Sequence, residues 1–382
     1  MWGLIITVFL VLYGVMCYYI GRKGWNTLGK SASCFNRTLY LVVFFLLVLP
    51  FPVAELGEDV LPASIAPWFI IWGGYSMVAV LYVFLLLLTI DLLRLIDKWV
   101  NFVPAVIKEH PKTPLTLGVV VVILVLGTVA YGGWNARNSV ITEYHVTVDK
   151  DAGPLQQLQI AMISDIHYGP IIDTERLNRL IEMIHEIKPD IVVLAGDITD
   201  GSLPQREARK LAEVLAQIQV PYGTFAVPGN HDRDLRDDNS ALMRYLKEAR
   251  IHVLKDNYVS VRDSFYLIGR DDPNRHSVPA RMELKDLIKG IDSSKPLILL
   301  DHQPVDLKEA EANGIDLQLS GHTHSGQIFP ANLITGLVYE LDWGLLKKGT
   351  YHLIVSSGYG TWGPPLRIGN QPEVVSIKMT FQ

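Results

Sequence analysis

Leu158-Gln159-Ile160-Ala161-Met162-Ile163-Ser164-Asp165-Ile166-His167 is a short apolar run that ends in an acid and a histidine one residue apart. An apolar run of this length, bounded by polar residues, reads as a buried strand, so the Asp-x-His pair falls just past its carboxyl end. The plan repeats along the chain. Ile191 to Leu194 runs into Gly196-Asp197-Ile198-Thr199-Asp200-Gly201, and Phe225 to Val227 runs into Gly229-Asn230-His231-Asp232. Leu297 to Leu300 is followed by Asp301-His302-Gln303-Pro304, and Leu317 to Leu319 by Gly321-His322-Thr323-His324. Between the first two strands, Thr174 to Ile187 places Leu177, Leu180, Ile181, Ile184 and Ile187 on one helical face. A second helix is expected over Gln205 to Ile218 and a short one near Leu307 to Ala312, with strands at Tyr351 to Val355 and Val374 to Met379. Strands alternating with helices give an α/β layered domain over residues 158–382.

In such sheets ligand sites form beyond the carboxyl ends of the strands. Five strand ends therefore aim Asp, Asn and His at one region. Unpaired, these groups would repel or pay desolvation, and bound cations relieve both costs. Glycine at several of the turns lets the backbone bend where a side chain would block the site. Any one of the pieces alone is commonplace; all five in order are not.

Taken together, Asp-x-His, Gly-Asp-x-x-Asp, Gly-Asn-His-Asp, a lone His and Gly-His-x-His resemble the calcineurin-like metallophosphoesterase superfamily. The tail Gly358-Tyr359-Gly360-Thr361-Trp362-Gly363-Pro364-Pro365-Leu366-Arg367 is similar to its membrane-associated bacterial branch. The resemblance implies a four-layer sandwich of sheets flanked by helices and two divalent metal ions. One ion would take Asp165, His167, Asp197 and His324, the other Asp197, Asn230, His302 and His322, with Asp197 bridging. Donors of nitrogen and oxygen without sulfur suit Mn, Fe or Zn, and Mg less. Such a pair, about 3.5–4 Å apart, acidifies a bridging water for in-line attack on a phosphoryl group. His231 would stabilise the transition state and protonate the leaving oxygen, and Asp232 would orient its imidazole or fix its protonation. Asn230 and Arg367 are the candidate substrate-binding residues, with an ordinary ion pair the competing reading of Arg367. Asp200 is expected to orient ligands from behind, and Asp301 to do the same or to serve structure alone.

Ahead of this domain the composition changes. The whole chain of 382 residues is 49% hydrophobic and 19% charged, too apolar for disorder and too poor in charge for a wholly soluble protein. Residues 1–134 hold eight Lys or Arg and six Asp or Glu; the remaining residues hold 26 and 33. Four runs lack any such residue: Trp2 to Ile20, Thr38 to Ala54, Ile65 to Ile90 and Leu115 to Trp134. A helix rises about 1.5 Å per residue, so each can cross about 30 Å of hydrocarbon with tilt or local thinning. The second is the shortest and carries Pro50 and Pro52 near its end. A cleaved signal peptide is disfavoured because Arg22 and Lys23 follow the first run rather than precede it.

Charge gives the expected topology. Arg22, Lys23, Lys30 and Arg37 follow the first span, Glu55, Glu58 and Asp59 the second, and Arg94, Lys98, Lys108 and Lys112 the third. Basic loops stay inside, which puts residues from about 135 onward outside the cytoplasm. The expectation is a multi-pass cell-membrane protein with four transmembrane helices (1–134), a linker or lead-in strand (135–157) and an extracytoplasmic catalytic domain (158–382).

Other classes recede. A net charge of −5 argues against a broad basic nucleic-acid surface. Cys17 and Cys34 are the only cysteines, which excludes a disulfide scaffold. His145, His185, His252, His276 and His352 fall outside the motif turns and read as structural or solvated. Gln327 to Tyr351 is rich in large apolar residues and is expected to pack onto the domain; the competing reading is a greasy lip for an acyl chain or bilayer. The expected substrate is a phosphomonoester, phosphodiester or pyrophosphate, with lipid-linked compounds favoured by the membrane anchor. A nucleotide phosphodiesterase, a phosphoprotein phosphatase and a non-catalytic phosphoester sensor are the alternatives.

Overall fold

The computed structural model describes residues 2–31, 37–57, 60–62, 64–273 and 281–382. Cys34, Glu58, Asp59 and His276 lie outside the described residues. The chain divides into two units, 1–134 with 363–366, and 135–362 with 367–382.

Uncharged apolar runs can satisfy their backbone polar groups in lipid only as helices, and the first unit is helical. It comprises α1 (Trp2–Ser31), α2 (Arg37–Val48), α3 (Pro50–Gly57), α4 (Ala66–Val100), α5 (Ala105–Glu109) and α6 (Thr113–Asn135). Among the described residues, α4 and α6 are each long and apolar enough to cross a membrane. Helices α2 and α3 qualify only as one span bent by 43°. The break falls at Pro50, which has no N–H to continue the ladder. The first expected run falls within α1, part of whose side chains lie outside the described residues. Tyr13, Cys17, Val48 and Val80 form a small buried cluster here. Lys23 Nζ and Tyr19 Oη both reach the Asp91 carboxylate, at 2.6 and 2.7 Å, and tie α1 to α4.

In the second unit the strands are β1 (Val140–Val148), β2 (Gln157–Ile163), β3 (Ile191–Ala195), β4 (Thr224–Val227), β5 (Ile251–Val253) and β6 (Asn257–Val261). They continue as β7 (Phe265–Gly269), β8 (Leu297–Leu300), β9 (Leu317–Ser320), β10 (Gly344–Lys348), β11 (Tyr351–Val355) and β12 (Glu373–Phe381). Between them lie α7 (Thr174–Ile187), α8 (Gln205–Leu215), α9 (Arg233–Arg236), α10 (Ala241–Glu248), α11 (Leu284–Leu287), α12 (Leu307–Ala312) and α13 (Ala331–Val338). One sheet runs β1-β12-β2-β3-β4-β5, the other β10-β11-β9-β8-β7-β6. Residues 140–148, within the expected lead-in, pair in parallel with β12 along their whole length.

Strand side chains alternate between faces, and that alternation builds the layers. On β2, Ile160 and Met162 enter the core between the sheets, while Ala161 and Ile163 face α7 and α8. On β8, Ile298 and Leu300 enter the shared core, while Leu297 and Leu299 face α11 and α12. The result is helices, sheet, sheet, helices. Strands β2, β3 and β4 are parallel to one another in one sheet, as are β8 and β9 in the other.

Candidate metal centre

The turns after these five parallel strands carry the polar residues into one cluster. Asp165, His167 and His324 place one ligand atom each within 4.8 Å of one another, and so do Asp197, His302 and His322. His167 Nε2 is 3.1 Å from His324 Nε2, and His324 Nε2 is 3.5 Å from Asp165 Oδ1. Asp197 Oδ2 lies 3.7 Å from His167 Nε2 and 3.2 Å from His302 Nε2. One carboxylate thus faces both groups. A third group joins His167, Asp200 and His231.

The backbone is bent to achieve this. Asp165, His167, Asp197, His322 and His324 all have φ between 49° and 71°, the left-handed region that non-glycine residues seldom occupy. Such strain persists only where surrounding structure over-determines it, and it collects at functional sites. Two close approaches require glycine: a Cβ on Gly229 would overlap the Asp197 carboxylate, and one on Gly321 that of Asp165.

Several donor atoms are buried without a hydrogen-bond partner: His167 Nδ1, His302 Nε2 and Asn230 Oδ1. His302 Nε2 touches Asp197 but is not aligned for a hydrogen bond. Buried polar atoms are normally paired, and His302 Nε2 and Asn230 Oδ1, both metal-ligand atoms, fit a divalent cation.

Protonation follows the same pattern. Burial would raise Asp197, but the neighbouring His302, then His167 and His231, hold it well below the usual carboxylate range. Burial disfavours a charged His302, yet contact with Asp197 outweighs it and lifts His302 to about 10. His322 is pushed down to about 4 by burial and then by His302. Burial, with His167 and Arg367 next, keeps His324 well below its ordinary value. A cation bound here would take the place of the His302 proton.

Two expectations need correction. Asp232 follows His231 in sequence, but its fully buried carboxylate accepts from Gly229 N, Ile198 N, Thr199 N and Thr199 Oγ1 at 2.8–3.1 Å. It pins two turns together and does not orient His231. The carboxylate beside the His231 ring is that of Asp200, 3.7 Å from Nδ1 and also 3.5 Å from His167 Nδ1. Arg367 is fully buried and donates to Gly358 O, Gly360 O and Asn370 Oδ1, with Nη2 3.2 Å from His324 Nδ1. It holds a candidate ligand and offers nothing to a substrate phosphate. Asp301 is buried between Arg281 at 3.0 Å and Arg270 at 3.7 Å, a structural place.

A family model described as calcineurin-like phosphoesterase matches residues 158–326. An uncharacterized metallophosphoesterase of Aquifex aeolicus is 35% identical over 226 residues, covering 58% of this chain and 84% of that one. The chain belongs to the metallophosphoesterase family. A Danio rerio transmembrane protein with metallophosphoesterase domain is 31% identical over 278 residues, covering 70% of this chain but only 62% of its own length. An uncharacterized metallophosphoesterase of Campylobacter jejuni is 27% identical over 97% of both chains. The metallophosphoesterase domain is thus that of a metal-dependent phosphoester hydrolase, in a chain with membrane-type apolar helices. At the candidate metal centre, motif spacing missed two aromatic neighbours: Trp362, its ring 5.7 Å from that of His231, and Tyr339, 6.1 Å from His322. For Trp362 the signal available was the length of the glycine-rich connection between β11 and β12, more than a turn requires.

Proposed function

We propose that this protein is a membrane-anchored hydrolase of phosphoesters that works with two divalent cations. The observation that carries the reading is Asp197 facing both ligand groups, 3.7 Å from His167 and 3.2 Å from His302. Asp165, His167, Asp197 and His324 would hold one ion, and Asp197, Asn230, His302 and His322 the other. Bound there, the cations would supply an acidified water and a clamp on phosphoryl oxygens. The donor set suits Mn, Fe or Zn ahead of Mg.

The chain's own contribution is a proton. His231 stands half-buried at the edge of the cluster, where its imidazole donates to the departing oxygen. Burial lowers its pKa and Asp197 and Asp200 oppose that fall. Asp200 also sets the direction of the ring. Four spans with basic loops inside would hold the domain on the outer face, where lipid-linked or envelope phosphoesters are the substrates within reach.

The test is a panel of bis-p-nitrophenyl phosphate, nucleotides and phospholipids, each assayed with full-length protein in Mn²⁺, Zn²⁺ and Mg²⁺. Metal-dependent turnover abolished by chelation is expected. Inactivity across the panel would remove the hydrolase reading, and a C-terminal reporter active only in the cytoplasm would remove the orientation.

A further inference from the structure

Helix α13 has no buried residue. Leu333, Ile334, Leu337 and Val338 lie on one face, 58%, 63%, 87% and 68% exposed. Scattered apolar residues are ordinary on a surface, but a continuous patch on one short helix marks a contact site. Phe329, Trp343, Leu345 and Trp362 are exposed as well. Hydrogen bonds fasten these segments into one rim. The Gln327 amide donates to Trp362 O and accepts from Trp362 N, both at 2.9 Å. Thr335 Oγ1 donates to Asp342 at 2.6 Å, beside Trp343. The expectation that residues 327–351 simply pack onto the domain therefore fails for α13.

Charge selects the occupant. Residues 325–338 contain no Asp, Glu, Lys, Arg or His. On edge strand β10, exposed Lys347 shares a face with exposed Leu345, and the next residue, Lys348, pairs with Glu340. An uncharged apolar helix flanked by tryptophan and lysine matches the layering of a lipid surface, apolar below, aromatic and cationic at the headgroups. The chain also carries α4 and α6, so its domain is kept near a bilayer at high effective concentration. A patch too small to bind membrane alone then suffices.

We propose that α13 and its rim seat in the interfacial layer of an anionic bilayer, as a second membrane contact separate from the spans. Helix α13 follows His324 through one short turn, and Trp362 adjoins His231, so the seated rim brings the metal centre to the headgroups. Resting on the proposed hydrolase function, this makes a lipid headgroup phosphoester the substrate class.

The test uses the full-length chain with Cys17→Ala and Cys34→Ala, in nanodiscs of phosphatidylcholine and phosphatidylglycerol. Nitroxide labels are placed at Ile334→Cys or Leu337→Cys, and at Arg209→Cys on α8 as an aqueous control. Oxygen accessibility relative to a nickel chelate should be several-fold higher at 334 and 337 than at 209. With Leu333→Glu and Leu337→Glu present, a label at 334 should return to the control ratio. Equal ratios at all three sites, or immobilised labels that stay shielded from oxygen as a protein partner would leave them, overturn the proposal. Turnover of bis-p-nitrophenyl phosphate in the same discs reports the hydrolase reading separately: inserted labels without turnover remove only that reading, and turnover with aqueous labels removes only the docking.

Discussion

His302 Nδ1 lies 2.8 Å from Ala195 O while its Nε2 lies 3.2 Å from Asp197 Oδ2. The carbonyl, which can only accept, keeps a proton on Nδ1 and leaves Nε2 to face the site, the arrangement found behind metal-binding histidines. Without metal, Asp197 keeps Nε2 protonated up to about pH 10. The sign follows. Below that pH a cation must displace the proton, so affinity should weaken as pH falls, and loading chelator-stripped protein with Mn²⁺ near neutrality should release protons. Calorimetry in two buffers of different ionisation enthalpy measures that release. No proton exchange would contradict the assignment of His302 as a ligand.

Asp197 and His231 should part company on mutation. Asp197→Ala removes the carboxylate facing both groups and is expected to abolish metal retention and turnover together. His231→Ala should keep its metal and lose about 10²–10⁴ in kcat, the usual worth of a positioned general acid. Metal content by elemental analysis, set beside turnover, separates the two; full activity in either variant rejects its role.

Asp200 touches His167 on one side and His231 on the other, at 3.5 and 3.7 Å. Its charge raises the pKa of His231, a term that opposes burial. In Asp200→Asn the imidazolium loses that support, so the protonated acid should be depleted at lower pH. The alkaline limb of the kcat profile is expected to move toward acid, with metal affinity weakened about 10- to 100-fold through His167. An unmoved alkaline limb would mean that Asp200 does not act on His231.

Much of this centre was legible because each donor motif follows a strand, and parallel strands open toward one edge. The apolar run along β2 likewise announced a buried strand. What the sequence could not supply were pairings between distant segments. Val140 pairs with Glu373 only because the sheet closes that way. Adjacency in sequence was misleading at His231: Asp232 points into the backbone of another turn, and Asp200, from the end of β3, approaches the ring. Arg367 could be judged only once the carbonyls of Gly358 and Gly360 were in position. The 3.6-residue spacing of Leu333, Ile334, Leu337 and Val338 marks a face without saying what it meets.

The role found for Asp232 is structural, and that is testable. Asp232→Ala orphans three buried backbone N–H groups and the Thr199 hydroxyl, each costing about 1–3 kcal/mol. Relief from burying the carboxylate, whose pKa burial and Asp197 push to about 6, offsets only part of that. The variant should melt well below the parent, with the pH dependence of any residual activity unchanged. A parental Tm with a shifted pH profile would restore the orienting role.

Arg367 offers the sharpest distinction between holding a ligand and holding a substrate. Its Nη2 donates to Gly358 O at 3.1 Å and Gly360 O at 2.7 Å while lying 3.2 Å from His324 Nδ1, and Nε donates to Gly360 O. Arg367→Lys keeps a cation but loses the planar fork, which an ammonium cannot reproduce. The turn carrying His324 should loosen, and metal affinity should fall about 10- to 100-fold. At saturating metal, KM for bis-p-nitrophenyl phosphate should match the parent, because no substrate contact has been removed. A raised KM with unchanged metal affinity would instead return Arg367 to the substrate.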